Sequence, residues 1–267
     1  MAVLGSGSIA SRKPVENAAI APTSSTEGHS NYDSLQVKLE RSITSGLTFM
    51  NSFTWAKSLG TTSAYDFIGP PGYVYDLNLS YGRNDFNIPV INTTSFVYNL
   101  PVGRGKRFGS NMGGIPDQII GGWEASGIIN IRSGTGYSVL SGEDIANLGI
   151  NPGETAQIVS APVPSGFKQT RAAWFNTSAF TFPASGTLGN SAPDFLNGPA
   201  YQNLDFALMK NFRIGENLKL QFRSEFFNIL NHTTFGNPDS TMTDATFGQI
   251  LGANSPQIIQ FALKLLW

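Results

Sequence analysis

The closing stretch of the chain reads Ile259-Gln260-Phe261-Ala262-Leu263-Lys264-Leu265-Leu266-Trp267. Successive side chains of an extended strand point to opposite faces. Ile259, Phe261, Leu263, Leu265 and Trp267 therefore share one face, and Gln260, Ala262, Lys264 and Leu266 take the other. Period-two alternation of this kind marks a strand with one apolar side.

Working back from this strand, the same design recurs. Leu218, Leu220, Phe222, Ser224 and Phe226 alternate with Lys219, Gln221, Arg223, Glu225 and Phe227. Leu204, Phe206 and Leu208 alternate with Asp205, Ala207 and Met209, and Arg213, Ile214, Gly215 and Glu216 join the two segments as a tight hairpin. A second hairpin sets Leu35, Val37 and Leu39 against Gln36, Lys38 and Glu40, turns at Gly46, and returns through Leu47, Phe49, Phe53 and Trp55. Two longer strands complete a set of seven segments. One ends in Phe96, Tyr98, Leu100 and Pro101; the other carries Ile119, Trp123, Ala125, Ile129 and Ile131, with bends expected at Gly121, Gly122 and Gly127.

Composition narrows the function. Charged residues are only 13% of the 267-residue chain, below the quarter or so usual in soluble domains. The net charge of −1, with no basic cluster beyond Arg104, Lys106 and Arg107, argues against nucleic-acid binding. Without cysteine there are no disulfides, thiolate metal sites or cysteine nucleophiles. No run of about 18 apolar residues is present for a transmembrane helix, but a transmembrane strand needs only about 10 alternating residues. The first eight residues, Met-Ala-Val-Leu-Gly-Ser-Gly-Ser, do not read as a signal peptide, so an exported protein is expected to have further sequence upstream.

Alternation alone fits either a soluble sandwich, whose apolar faces meet in a core, or a barrel, whose polar faces line a lumen. Join lengths favour the barrel. Joins after Arg41, Leu100 and Arg213 are comparatively short, whereas those after Trp55, Ile131 and Leu230 are long and rich in Gly, Pro, Ser and Asn. Strict short-long alternation puts the short turns at one rim, the periplasmic one in bacterial barrels, and the chain's end on that side. Trp55, Tyr98, Phe226 and Trp267 are placed near strand ends, where amphipathic rings suit the membrane interface. The expectation is an all-β, antiparallel up-and-down transmembrane β-barrel segment, about seven or eight strands of a larger barrel.

Several stretches, in order, resemble the C-terminal barrel half of Oar-like TonB-dependent receptors of the acidobacterial type. They are Asn31-Tyr32-Asp33-Ser34-Leu35, Ser52-Phe53-Thr54-Trp55-Ala56-Lys57-Ser58, Tyr98-Asn99-Leu100-Pro101-Val102-Gly103-Arg104-Gly105-Lys106-Arg107-Phe108, Trp174-Phe175-Asn176-Thr177-Ser178-Ala179-Phe180, Phe222-Arg223-Ser224-Glu225-Phe226-Phe227-Asn228, and Phe247-Gly248-Gln249-Ile250. The resemblance covers residues 31–267 and leaves 1–30 as an incomplete strand and outer loop. It implies a fragment of a transporter barrel in the outer membrane, taking up an unidentified nutrient. The partners it implies for the parent are a plug domain and TonB, both missing from this chain.

On this reading Leu204, Phe206, Leu208, Leu218, Leu220, Phe222, Phe226, Ile259, Phe261, Leu263 and Leu265 face outer-membrane lipid. Lys219, Gln221, Arg223, Glu225 and Lys264 face the lumen. Phe261, Leu263, Leu265 and Trp267 resemble the signal through which barrel-assembly machinery takes up a terminal strand by β-augmentation. Lys219, Arg223 and Glu225 read more simply as lumen-lining charges than as an acid, a base and a clamp, so no enzyme is expected. His29 and His232 are far apart in sequence, and neither a metal nor a cofactor is expected. Gly5-Ser6-Gly7-Ser8 lacks the setting of a phosphate loop, and Gly103 to Arg107 reads as a solvated turn rather than a contact for acidic lipid. Two rivals remain: a secreted or surface β-sandwich stacking sugars on Trp55, Trp123 or Trp174, and a structural outer-membrane barrel without transport.

Overall fold

The computed structural model describes Ser8 and residues 28–43, 46–61, 77–149, 154–214 and 218–267. Its strands are β1 (Ser30–Ile43), β2 (Leu47–Gly60), β3 (Gly82–Arg83), β4 (Val90–Asn99), β5 (Trp123–Arg132), β6 (Gly136–Tyr137), β7 (Gln157–Ile158), β8 (Phe180–Thr181), β9 (Leu196–Asn197), β10 (Tyr201–Arg213), β11 (Lys219–Phe227) and β12 (Ile258–Leu266). Among the described residues one α-helix, α1, spans Gly114–Ile120.

The long strands form a single sheet in the order β1-β2-β4-β5-β10-β11-β12, with β3 paired to the end of β2. All of its pairings are antiparallel, an up-and-down meander. Chain order becomes spatial order because each strand pairs with the one that follows it through a turn or a returning join. At one rim Gly46, with φ 92°, makes the β1–β2 turn and donates its N–H to Ile43 O at 2.9 Å. The β10–β11 hairpin closes at the same rim, through Ile214 N–H to Leu218 O at 3.0 Å, while its Gly215-Glu216 tip lies outside the described residues. Leu218 lies in this closure, one residue before β11.

Two sequence expectations are corrected. Ile119 does not begin the strand that carries Trp123; it lies in α1. Pro116 suits the first helical turn, where an N–H has no acceptor, and Gly122, at φ 70°, takes a left-handed conformation before the strand starts at Trp123. The join after Leu100, expected to be comparatively short, therefore runs as far as Trp123 and holds α1. Gly127 does not mark a bend either. It pairs in register with Phe96 on one side and Phe206 on the other, and a Cβ there would come within 2.8 Å of the Phe96 ring. The missing side chain makes room for that ring.

The buried hydrophobic residues, Tyr137, Val139, Ala146, Ala156, Phe175, Ala179, Phe180, Leu196 and Ile250, all lie in the joins between long strands. No second sheet packs on the first: among the described residues the long strands contact one another only sideways, and the remaining strands form two-stranded ribbons, β6–β9 and β7–β8. A soluble sandwich must cover its apolar faces with a second layer. This sheet is one layer, as a barrel wall in lipid is.

Candidate functional site

Paired residues of an antiparallel sheet share a face, so the register sorts the wall's side chains. Phe206 pairs with Phe226, which pairs with Ile259; Lys210 pairs with Phe222, which pairs with Leu263; Phe212 pairs with Leu220, which pairs with Leu265. In the other direction Leu204 pairs with Ile129, Thr94 with Ile129 and Asn51, and Phe53 with Val37. Leu204, Phe206, Leu208, Leu220, Phe222, Phe226, Ile259, Phe261, Leu263 and Leu265 thus stand on one face, with Leu35, Val37, Leu39, Phe49, Trp55, Phe96, Tyr98 and Trp123. Its charged members, Asp33, Arg41, Lys57 and Lys210, lie towards the rims. Trp55 sits within β2 but level with Val90, the first residue of β4, while Tyr98 and Trp123 mark the short-turn rim.

The opposite face is a polar lattice. Lys219, Gln221, Arg223 and Glu225 project here beside Lys264 and Gln260. Arg223 and Glu225 form an ion pair at 2.6 Å, Glu225 also accepts from Gln260, and Gln221 donates to Asn211 at 3.0 Å. On β1, Lys38 and Glu40 pair at 2.9 Å. Arg223, Glu225 and Gln260 thus bond along and across strands, as do Gln221 and Asn211. At the rim of the long joins Asp205 accepts the Asn228 N–H at 2.9 Å. The Arg132 guanidinium lies 4.6 Å from the Tyr201 ring centre, at a cleft of about 260 Å³ that Thr234, Asn237 and Asn254 also line.

Two polar features on the apolar face escaped the strand-by-strand reading. Asn51 donates to Asn92 Oδ1 at 2.8 Å and to Thr94 Oγ1 at 2.7 Å, linking β2 to β4. Lys210 is 1% exposed. Its ammonium donates to Gly121 O and lies 5.2 Å from the Phe212 ring and 5.6 Å from the Trp123 ring. Carrying the alternation through Asn51 and Lys210 places both side chains on the apolar face; their partners depend on pairing across strands.

The long joins build a cap with its own core. Phe175 is its hub, meeting Phe180 at 5.5 Å, Phe247 at 5.2 Å and Tyr137 at 6.1 Å between ring centres. Trp174 N–H donates to Gly248 O at 2.8 Å, fastening the β5–β10 join to the β11–β12 join. Arg83 ties in the β2–β4 join, donating to Asn197 Oδ1 at 2.7 Å and Leu196 O at 3.0 Å. Buried Glu154 accepts the N–H groups of Ala146 at 2.7 Å and Ile145 at 3.0 Å; burial nevertheless raises its carboxyl pKa. Asp194, which accepts from Ser138 at 3.2 Å, is raised for the same reason. Sequence reading took the join over residues 133–200 as a long loop, although the Trp174–Phe180 stretch carried the aromatic signal of this core.

The histidines serve locally. His29 stacks on Tyr81 at 5.4 Å, and the main chain of His232 is held at both its N–H and C=O by the Asn228 amide, at 2.9 and 3.0 Å. Among the described residues no group of three or more His, Asp or Glu is placed to hold a metal ion.

A one-layer antiparallel wall with sorted faces and a loop cap is the architecture of a membrane barrel, and the chain matches the outer membrane beta barrel domain over residues 2–260. The chain belongs to that family. Its place is the bacterial outer membrane. Neither a curated protein nor a solved structure matches it.

Proposed function

We propose that this chain is part of the wall of a TonB-dependent uptake barrel, residues 31–267 forming the C-terminal portion and residues 1–30 leading into it. The observation that carries the reading is the relation between the sheet's two edges. Six antiparallel pairings connect seven strands, so β1 and β12 run in the same direction. Paired directly they would make a parallel seam, and a second copy in the same membrane orientation would make the same seam. Open edges are not tolerated in lipid. Antiparallel closure therefore calls for an odd number of further strands between β12 and β1, which makes this wall a portion of a wider barrel.

In that barrel the apolar face, Leu204 to Phe226 and Ile259 to Leu265, meets lipid. Lys219, Gln221, Arg223, Glu225 and Lys264 line the lumen beside a plug, with TonB as the energy-coupling partner of the parent. The cap meets the nutrient first. Phe261, Leu263, Leu265 and Trp267 present the strand taken by the assembly machinery; Trp267 is 91% exposed and β12 leaves one edge open. The mutual pairing of Arg223, Glu225 and Gln260 supports lining over catalysis.

Deleting the coding gene in its host and growing the strain on a panel of scarce nutrients is the test. Loss of energy-dependent uptake of one nutrient is expected; unimpaired uptake with a weakened envelope would favour a structural barrel. A water-soluble, detergent-independent monomer would overturn the membrane wall altogether.

A further inference from the structure

The join between β4 and β5 is built to reach towards the apolar side of the wall. Lys210 and Trp123 belong to the apolar face, and both bind this join: the Lys210 ammonium donates to Gly121 O, and Trp123 Nε1 donates to Ile119 O at 3.1 Å. These bonds tether the end of α1 on the apolar side, at the short-turn rim.

α1 then exposes what a solvated turn would hide. Ile115 and Ile119, one helical turn apart, are 74% and 62% exposed, and Phe108 in the same join is 55% exposed. Around them Arg104, Lys106 and Arg107 stand exposed and form no ion pair among the described residues. The join's one carboxylate, Asp117, accepts the Arg104 main-chain N–H at 2.6 Å. Apolar side chains and cations without a carboxylate partner in one join, with Arg107 lying 5.4 Å from the Phe108 ring centre, continuous with an apolar wall, are the composition of an interfacial anchor.

We propose that α1 and the turn preceding it form such an anchor. The isoleucines and Phe108 enter the phospholipid leaflet at the short-turn rim, and Arg104, Lys106 and Arg107 bind the phosphates of anionic headgroups. This rests on the reading that the apolar face meets lipid. It replaces the solvated turn expected from sequence, because Ile119, which read there as part of a strand, is presented together with Ile115 by a helix.

The full chain is mixed with phosphatidylcholine vesicles, with and without phosphatidylglycerol, and bound protein is measured by sedimentation. Phosphatidylglycerol is expected to tighten binding by about fivefold or more at low salt, an advantage that shrinks as salt is added. The variant Arg104→Gln/Lys106→Gln/Arg107→Gln should lose that advantage yet still bind phosphatidylcholine, and Ile115→Ser/Ile119→Ser should weaken binding to both. These side chains are exposed, so neither variant removes a buried contact. Millimolar inorganic phosphate at constant ionic strength should not compete; full competition would indicate a free-anion site and overturn the anchor. Equal binding to both vesicles, or an advantage kept by the triple variant, overturns the anchor and leaves the lipid-facing wall standing. No binding to either vesicle overturns both.

Discussion

Phe175, in the join between β5 and β10, and Phe247, in the join between β11 and β12, meet edge to face with ring centres 5.2 Å apart. Phe175 is 1% exposed and also contacts Phe180 and Tyr137, so this pair joins two long outer segments through one aromatic hub.

Truncating the hub should therefore loosen the cap and spare the wall. Phe175→Ala is expected to destabilise the cap by about 3–5 kcal/mol, the usual cost of removing a buried ring. Limited proteolysis of the membrane-inserted protein should show rapid cleavage in residues 154–200, with the strands still protected. Cleavage unchanged from the wild type would remove the hub from its assigned role.

Cap stability should also depend on pH. Burial raises the Glu154 carboxyl above its ordinary 4.5 and the Asp194 carboxyl above its ordinary 3.8. The native state then binds these protons more tightly than the unfolded state, so their contribution is fully present below the ordinary values and is lost as pH rises through the folded ones. Proteolytic half-life of the cap, measured with a protease active across the range, should be longer near about pH 5 than near about pH 7. Glu154→Gln should flatten that profile and, by setting an amide donor against the Ala146 or Ile145 N–H, cost about 1–3 kcal/mol. A wild-type half-life that lengthens with rising pH would reverse the assignment.

The two faces of β12 predict opposite responses to charge. Leu263 stands on the apolar face and is 70% exposed, while Ala262 pairs with Arg223 on the polar face. Leu263→Arg is expected to cost about 2–4 kcal/mol of membrane folding stability, and Ala262→Arg much less. Outer-membrane yield and denaturant unfolding in vesicles would read both; equal penalties would contradict the sorting of faces.

A double-mutant cycle tests the Asn51–Asn92 bond. Asn92→Leu strands part of the Asn51 amide and should destabilise by about 1–3 kcal/mol, as should Asn51→Leu. The double variant places leucines on an apolar face and should lie close to the wild type. Additive losses in vesicle unfolding would show that the two amides act independently.

The physical legibility of the chain differs from element to element. Alternation from Ile259 to Trp267, or from Leu218 to Phe227, is a property of neighbouring residues, and each strand reports its own two faces without reference to any other. Chain order did the rest for the meander, since consecutive strands tend to pair, and short turns enforce this for β1–β2 and β10–β11. The Ile119 reading went astray for the converse reason. Ile119, Gly121 and Trp123 alternate as well as any strand, but the left-handed Gly122 and a helix-compatible Pro116 end the period before Trp123.

What the sequence by itself determined is the set of long strands, their two-faced character and the class of a membrane wall, because these follow from local periodicity and from a low content of charge. Tertiary structure decided what depends on pairing across the chain. It set Phe96 over Gly127, joined Asn51 to Asn92, and turned Lys210 to the Gly121 carbonyl. It also drew Phe175, Phe180 and Phe247 into one core from joins whose composition alone reads as loop. Phe96 and Gly127, Asn51 and Asn92, Lys210 and Gly121, and Phe175 and Phe247 are tens of positions apart, and only the packing of strands and joins brings them within reach.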